Sequence, residues 1–98
     1  MKLLAIEQET SAVNWAEESE TLISESYLVY HLFKEGIIRD IYFTENENAV
    51  IILECASKAE AANVLSTLPL VKAGLISFEV MELRPYTGFD RIIRKSMS

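Results

Sequence analysis

The stretch Ala49-Val50-Ile51-Ile52-Leu53-Glu54-Cys55 constrains this chain more than any other. It is short, rich in β-branched residues, and apolar at odd and even positions alike, which reads as a strand. Successive strand side chains point to opposite faces, so Val50 and Ile52 face one way and Ile51 and Leu53 the other. Both faces require cover. A chain of 98 residues is one small domain that can cover one face with its own helices. The cover of the second face is where function enters.

The other elements arrange themselves around this strand. Lys2 to Gln8 reads as a first strand with Leu3, Leu4, Ala5 and Ile6 apolar on both faces. Asn14 followed by Glu17 has the spacing of a capping box, with Thr10 or Ser11 as caps one turn earlier. A helix then runs to about Lys34, its apolar stripe formed by Trp15, Ser19, Leu22, Ser26, Val29 and Phe33, with Gly36 as its stop. Tyr27, Tyr30 and Phe33 are expected to pack in the core. Ile37 to Thr44 reads as a second strand, with Arg39, Ile41 and Phe43 on one face and Ile38, Asp40 and Tyr42 on the other. Glu45-Asn46-Glu47-Asn48 is turn-prone and closes a hairpin with the opening stretch. Ser57-Lys58-Ala59-Glu60 is a second capping box, starting a helix that Pro69 prevents from continuing. Leu70 to Gly74 connects to a fourth strand, Leu75 to Leu83, with Ile76, Phe78 and Val80 on one face.

The order β-α-β-β-α-β is the ferredoxin-like plan of the α+β class. Right-handed crossovers place both helices on one face of a four-stranded antiparallel sheet, with strands one and three central. These are the two strands with apolar residues on both faces. The open face would exceed the apolar patch that a soluble monomer usually exposes. Two such sheets packed about a two-fold axis bury it, which predicts a homodimer shaped as a dimeric α+β barrel, with room for a small organic ligand.

Charge and composition narrow the function classes. The net charge of −6 argues against nucleic acid. It is uneven: residues 1–83 carry a net of −9, whereas 84–98 carry Arg84, Arg91, Arg94 and Lys95 against Asp90. We divide the chain into a ferredoxin-like domain, 1–85, and a tail, 86–98, that can lie on a partner subunit or fray into solvent. No apolar run approaches the roughly 20 residues that cross a bilayer, and the N-terminus turns polar too soon for a signal peptide, so a cytoplasmic location is expected and no membrane partner. Cys55 reads as a buried small hydrophobe. One Cys and one His make no metal site, and no phosphate loop or nucleophile elbow is present, so no cofactor is expected.

Three short motifs carry a resemblance: Glu35-Gly36 followed by Arg39, Leu68-Pro69-Leu70 after the second helix, and Glu79-Val80 in the fourth strand. In that order, over roughly residues 17–85, the chain resembles the muconolactone isomerase family of the dimeric α+β barrel superfamily. The resemblance implies a double-bond shift in a small lactone by proton transfer, without metal or cofactor, in dimers that sometimes build larger rings. The chain departs from the family in having Val71-Lys72-Ala73-Gly74 where an aromatic-rich segment is usual, and Asp40 after Arg39 where a His is found.

Proton transfer requires a base near a carbon acid, and an anionic substrate requires a cationic anchor. Arg39 can hold a carboxylate bidentately, or pair structurally with Asp40 or Glu79. Glu79 interrupts a largely apolar strand; in an apolar cavity its pKa would rise and suit a general base, and on an edge strand it would face solvent. Arg39 and Glu79 are the catalytic candidates. Tyr42, Arg39 and His31 are the substrate-binding candidates, although Tyr42 also suits interface packing and His31 shares a helix side with Ser24, Leu28 and Glu35, away from the main stripe. Glu54 reads as a solvated rim residue. Three functions stay open: a cofactor-free muconolactone isomerase-like protein acting on a small organic acid or lactone, a non-catalytic ligand-binding or assembly module, and a cofactor-free monooxygenase.

Overall fold

The computed structural model describes residues 1–10 and 12–97. Four strands, β1 (Lys2–Glu9), β2 (Ile38–Phe43), β3 (Ala49–Glu54) and β4 (Ile76–Leu83), form one antiparallel sheet in the order β2-β3-β1-β4. The helices are α1 (Ser19–Lys34), α2 (Lys58–Ser66), a single short turn α3 (Pro69–Lys72) and α4 (Phe89–Met97), with a 3₁₀ turn at Trp15–Glu17. The expected ferredoxin-like plan is the observed one, with β1 and β3 at the centre. No helix of the described residues is long and apolar enough to cross a membrane.

The core lies between one sheet face and the helices. Leu3 and Ala5 of β1, and Ala49, Ile51 and Leu53 of β3, meet Leu32 of α1 and Ala61, Leu65 and Leu68 from α2 and its exit. Leu3, Ile51, Leu53 and Leu68 are fully buried; burial of each such side chain contributes about 1.5–3 kcal/mol. Cys55 sits in the same cluster, and burial pushes its thiol pKa up, with Glu60 and Glu54 adding to the rise. On the opposite face the sheet carries Leu4 beside Ile52 and Met81, and Ile6 beside Val50, all partly or largely exposed.

Local chemistry explains where the elements stop. Gly36 follows α1 at φ +80°, Gly36 N–H donates to Phe33 O and Ile37 N–H to Leu32 O, the paired bonds of a Schellman stop. Gly74 at φ +74° repeats this after α3, with Gly74 N–H to Val71 O and Leu75 N–H to Leu70 O. Ser57 caps α2, its Oγ accepting Glu60 N–H at 3.0 Å, and Glu60 Oε2 accepts Ala56 N–H at 2.7 Å.

Three expectations are corrected. Asn14 makes no side-chain cap; the 3₁₀ turn intervenes and α1 begins at Ser19. Ser11 and Ser98 lie outside the described residues. A bulge between Ile38 and Asp40 resets the alternation of β2, so that Ile38, paired with Leu53, joins Ile41 and Phe43 on the helix-side face. The α1 side chain that reaches the core is Leu32, supported by Leu28 and Val29, while Tyr27, Tyr30 and Phe33 remain more than half exposed. Finally, 89–97 is helical. Phe89, Ile92 and Ile93 have helical spacing, and Asp90 sits in the first turn, where the helix dipole favours an acid.

Candidate functional site

The stripe expected to face the core instead lines a cleft. Trp15, Leu22, Ser26, Val29 and Phe33 form its helical wall, and Ala49 and Ile51 of β3 with Phe78 of β4 form its floor. The cleft has a volume of about 840 Å³ and is half open to solvent. Leu32 is the α1 side chain that reaches the core, while Leu22, Tyr30 and Phe33 stay exposed along the cleft. Ile41 and Phe43 of β2 and the hairpin residues Asn46 and Glu47 complete the mouth.

Two carboxylates enter this apolar space. Glu7 is the third inward position of β1, after Leu3 and Ala5, and is only 8% exposed. The β1–β3 ladder ends at Ile6–Val50, and Ala49 N–H, one step beyond, donates to Glu7 Oε1 at 3.3 Å. Burial pushes the Glu7 carboxyl above the usual glutamate value; the Ala49 N–H opposes this, and the charge of Glu9 adds to it. Glu25 lies on α1 one turn before Leu28 and two before Leu32, and its Oε1 accepts Leu70 N–H at 3.1 Å. That N–H belongs to the first turn of α3, where backbone donors lack helical partners. Burial raises the Glu25 carboxyl as well, the Leu70 N–H lowers it, and the negative charge of Glu7 raises it further. Each acid therefore keeps one hydrogen bond to backbone and resists ionisation. Together they can hold and release protons closer to neutral pH than free carboxyls do.

The residues read from the sequence are placed as follows. Tyr42 borders the cleft mouth at the β2 edge, but its register with Val50 turns its side chain to the open face of the sheet, where its hydroxyl donates to Asp40 Oδ1 at 3.3 Å. Arg39 occupies the β2 bulge, exposed, with Nε donating to Gly36 O at 2.7 Å. Glu79 is exposed on the opposite face of the sheet, level with Ile6, and accepts a 3.2 Å hydrogen bond from Gln8 Nε2. His31 is exposed, its ring 6.0 Å from that of Tyr30 in an edge arrangement. The cleft thus leaves Arg39, Glu79 and His31 outside, and Tyr42 borders it with its side chain turned to the open face. Glu54 is half-buried; the Met1 amino group, donating to Oε1 at 2.9 Å, holds its carboxyl below the usual value, and Arg39 adds a weaker field. That ion pair borders a second, smaller cleft of about 520 Å³ at the far end of the sheet.

Glu7 and Glu25 escaped sequence reading, although each left a signal. Glu7 has the parity of Leu3 and Ala5, and Glu25 precedes Leu28 and Leu32 by three and seven residues. An acid at an inward position of an otherwise apolar pattern marks a group held in low dielectric. Among the described residues, no group of three His, Cys, Asp or Glu side chains is placed to hold a metal ion.

No family model matches the chain, and no curated protein matches its sequence. Solved structures do. Muconolactone isomerase superimposes with a TM-score of 0.74 at 19% identity, over 90% of this chain and 93% of its own. A 5-chloro-2-hydroxyhydroquinone dehydrochlorinase from Burkholderia phenoliruptrix AC1100, solved with 2,5-dihydroxybenzoquinone, superimposes with a TM-score of 0.66 at 16% identity, over 86% of this chain and 95% of its own. The resemblance carried by Glu35-Gly36, Arg39, Leu68-Pro69-Leu70 and Glu79-Val80 is borne out for the architecture: this chain has the fold of muconolactone isomerase.

Proposed function

We propose that the protein binds a small cyclic organic molecule in the cleft between α1 and the sheet and moves a proton within it, as a cofactor-free isomerase of the muconolactone isomerase type. The observation that carries this reading is the pair of desolvated carboxyls, Glu7 and Glu25, facing one apolar cleft with their pKa values raised. An ionised carboxylate there takes a proton from the carbon next to a carbonyl. The electron pair moves to the carbonyl oxygen, which a protonated second carboxyl supports by a hydrogen bond, and return of the proton to a different carbon shifts the double bond. Proton-carrying passes from Glu79 to Glu7 and Glu25, and Tyr42, on the open face beside Val50, is left to interface packing. The two similar structures support a small-molecule function, since one is an isomerase of a lactone and the other holds a small quinone.

A second copy of the chain covers the open sheet face in this proposal. Leu4, Ile6, Val50, Ile52 and Met81 form a continuous apolar surface there through the observed register. A stable monomer by light scattering at micromolar concentration would contradict it.

The activity is tested with α-angelica lactone in deuterated buffer, following its conversion to the β isomer by proton NMR. The protein should accelerate conversion and deuterium uptake. Glu7→Gln should slow it by about 10²-fold or more, the usual contribution of a positioned acid or base, while Glu79→Gln leaves it unchanged. Loss of activity in Glu79→Gln with full activity in Glu7→Gln would sink the assignment.

A further inference from the structure

The cleft is acidic as well as apolar. Four glutamates line it: Glu7 from β1, Glu9 at its end, Glu25 from α1 and Glu47 from the hairpin. Among the described residues no Lys, Arg or His lines it. Lys34 stands with its Nζ 5.5 Å from the ring centroid of Tyr30 and is not itself a lining residue. Arg39, the side chain suited to anchor a carboxylate, is tied to Gly36 O and absent from the lining.

From this we infer that the cleft selects uncharged rings and rejects the same rings carrying a carboxylate. The inference rests on the cleft being the ligand site. It narrows the substrate class from small acids and lactones to neutral lactones, phenols and enols. Two physical effects act in the same direction. A ligand carboxylate would lose hydration against the walls formed by Trp15, Val29, Phe33 and Phe78 without gaining a cationic partner. It would also meet the field of up to four like charges, in a half-open space where such repulsion is weaker than in a sealed interior but stronger than in bulk water. A hydroxyl or enol meets neither cost. It can donate to the oxygens of Glu7 or Glu25 not committed to Ala49 and Leu70 in the recorded bonds.

The discriminating experiment uses resorcinol and 3,5-dihydroxybenzoate, which differ by one carboxylate on the same ring. Binding to the full chain at pH 7.5 and low ionic strength is read from the shifts of the Val29, Leu22 and Leu70 methyl groups. Resorcinol should bind at least about tenfold more tightly, the ratio expected from about 1.4 kcal/mol of repulsion. The ratio should shrink in 0.5 M salt and in the Glu9→Gln/Glu47→Gln double variant, whose changes fall on exposed side chains and leave the core intact. Equal or tighter binding of 3,5-dihydroxybenzoate at these methyls would overturn the inference while leaving the cleft as the site, and would mean that a cation from elsewhere, such as the basic 84–98 segment of a second copy, completes it. Failure of both rings to move these methyls would overturn the inference together with the assignment of the cleft.

Discussion

Replacing Glu7 by Gln should stabilise the protein at alkaline pH and leave it unchanged in acid. The glutamine keeps the shape and the carbonyl acceptor for Ala49 N–H, and that bond is long at 3.3 Å, so little is lost from it. What disappears is the need to ionise a carboxyl that is 8% exposed beside Glu9. Because folding raises the Glu7 pKa, the folded state holds its proton to higher pH than the unfolded state does. Between the ordinary glutamate value and the raised one the folded chain binds more protons, so its stability falls as pH rises through that interval and is lower by a constant amount above it. Glu7→Gln removes that penalty at pH 8, and each tenfold change in the ionisation equilibrium is worth about 1.4 kcal/mol. For a domain of this size each 1 kcal/mol gained raises Tm by about 4–8 °C. Thermal unfolding of wild type and variant at pH 4 and pH 8 measures it: equal Tm at pH 4, a higher Tm for the variant at pH 8. If the variant is less stable at pH 8 by a similar amount, ionised Glu7 is a stabilising group, and the desolvated acid on which the functional proposal stands does not exist.

Two further changes test the scaffold around the cleft. Gly74→Ala should cost about 1–2 kcal/mol in urea unfolding, since a Cβ there meets nothing within 4 Å and the loss comes from the positive φ of +74° alone. Ile51→Ala, in the centre of β3 and on the cleft floor, should cost about 2–5 kcal/mol; a loss below 1 kcal/mol would mean that β3 is not the core strand described.

The scaffold was legible in the sequence because its signals are local. The two-faced apolar run at 49–55 marked the central strand, Ser57 and Glu60 marked a helix start, and Gly36 and Pro69 marked stops; each acts through its own backbone neighbours. The bulge at Arg39 was not legible, because one extra residue in β2 leaves no trace in composition and becomes visible only against the register of β3. The rotation of α1 was ambiguous for a different reason. The helix carries two adjacent apolar stripes, one through Leu28 and Leu32 and one through Leu22, Val29 and Phe33, and only tertiary packing decides that the first is core and the second is cleft wall. The candidate site followed the same division. Tyr42 stood out because it is aromatic on an edge strand, and the register sets it beside Val50 on the open face. Glu7 and Glu25 were passed over because acids are ordinarily exposed, and only their parity with buried neighbours set them apart.

The claim that decides the rest is that ligands enter on the helix side of the sheet and not between two sheets of a dimer. Methyl-resolved carbon–proton NMR with α-angelica lactone tests it directly. Ligand in the cleft shifts Leu22, Val29, Ile41, Ile51 and Leu70, which line it. Shifts confined to Leu4, Ile6, Val50 and Ile52, on the opposite face, would contradict it.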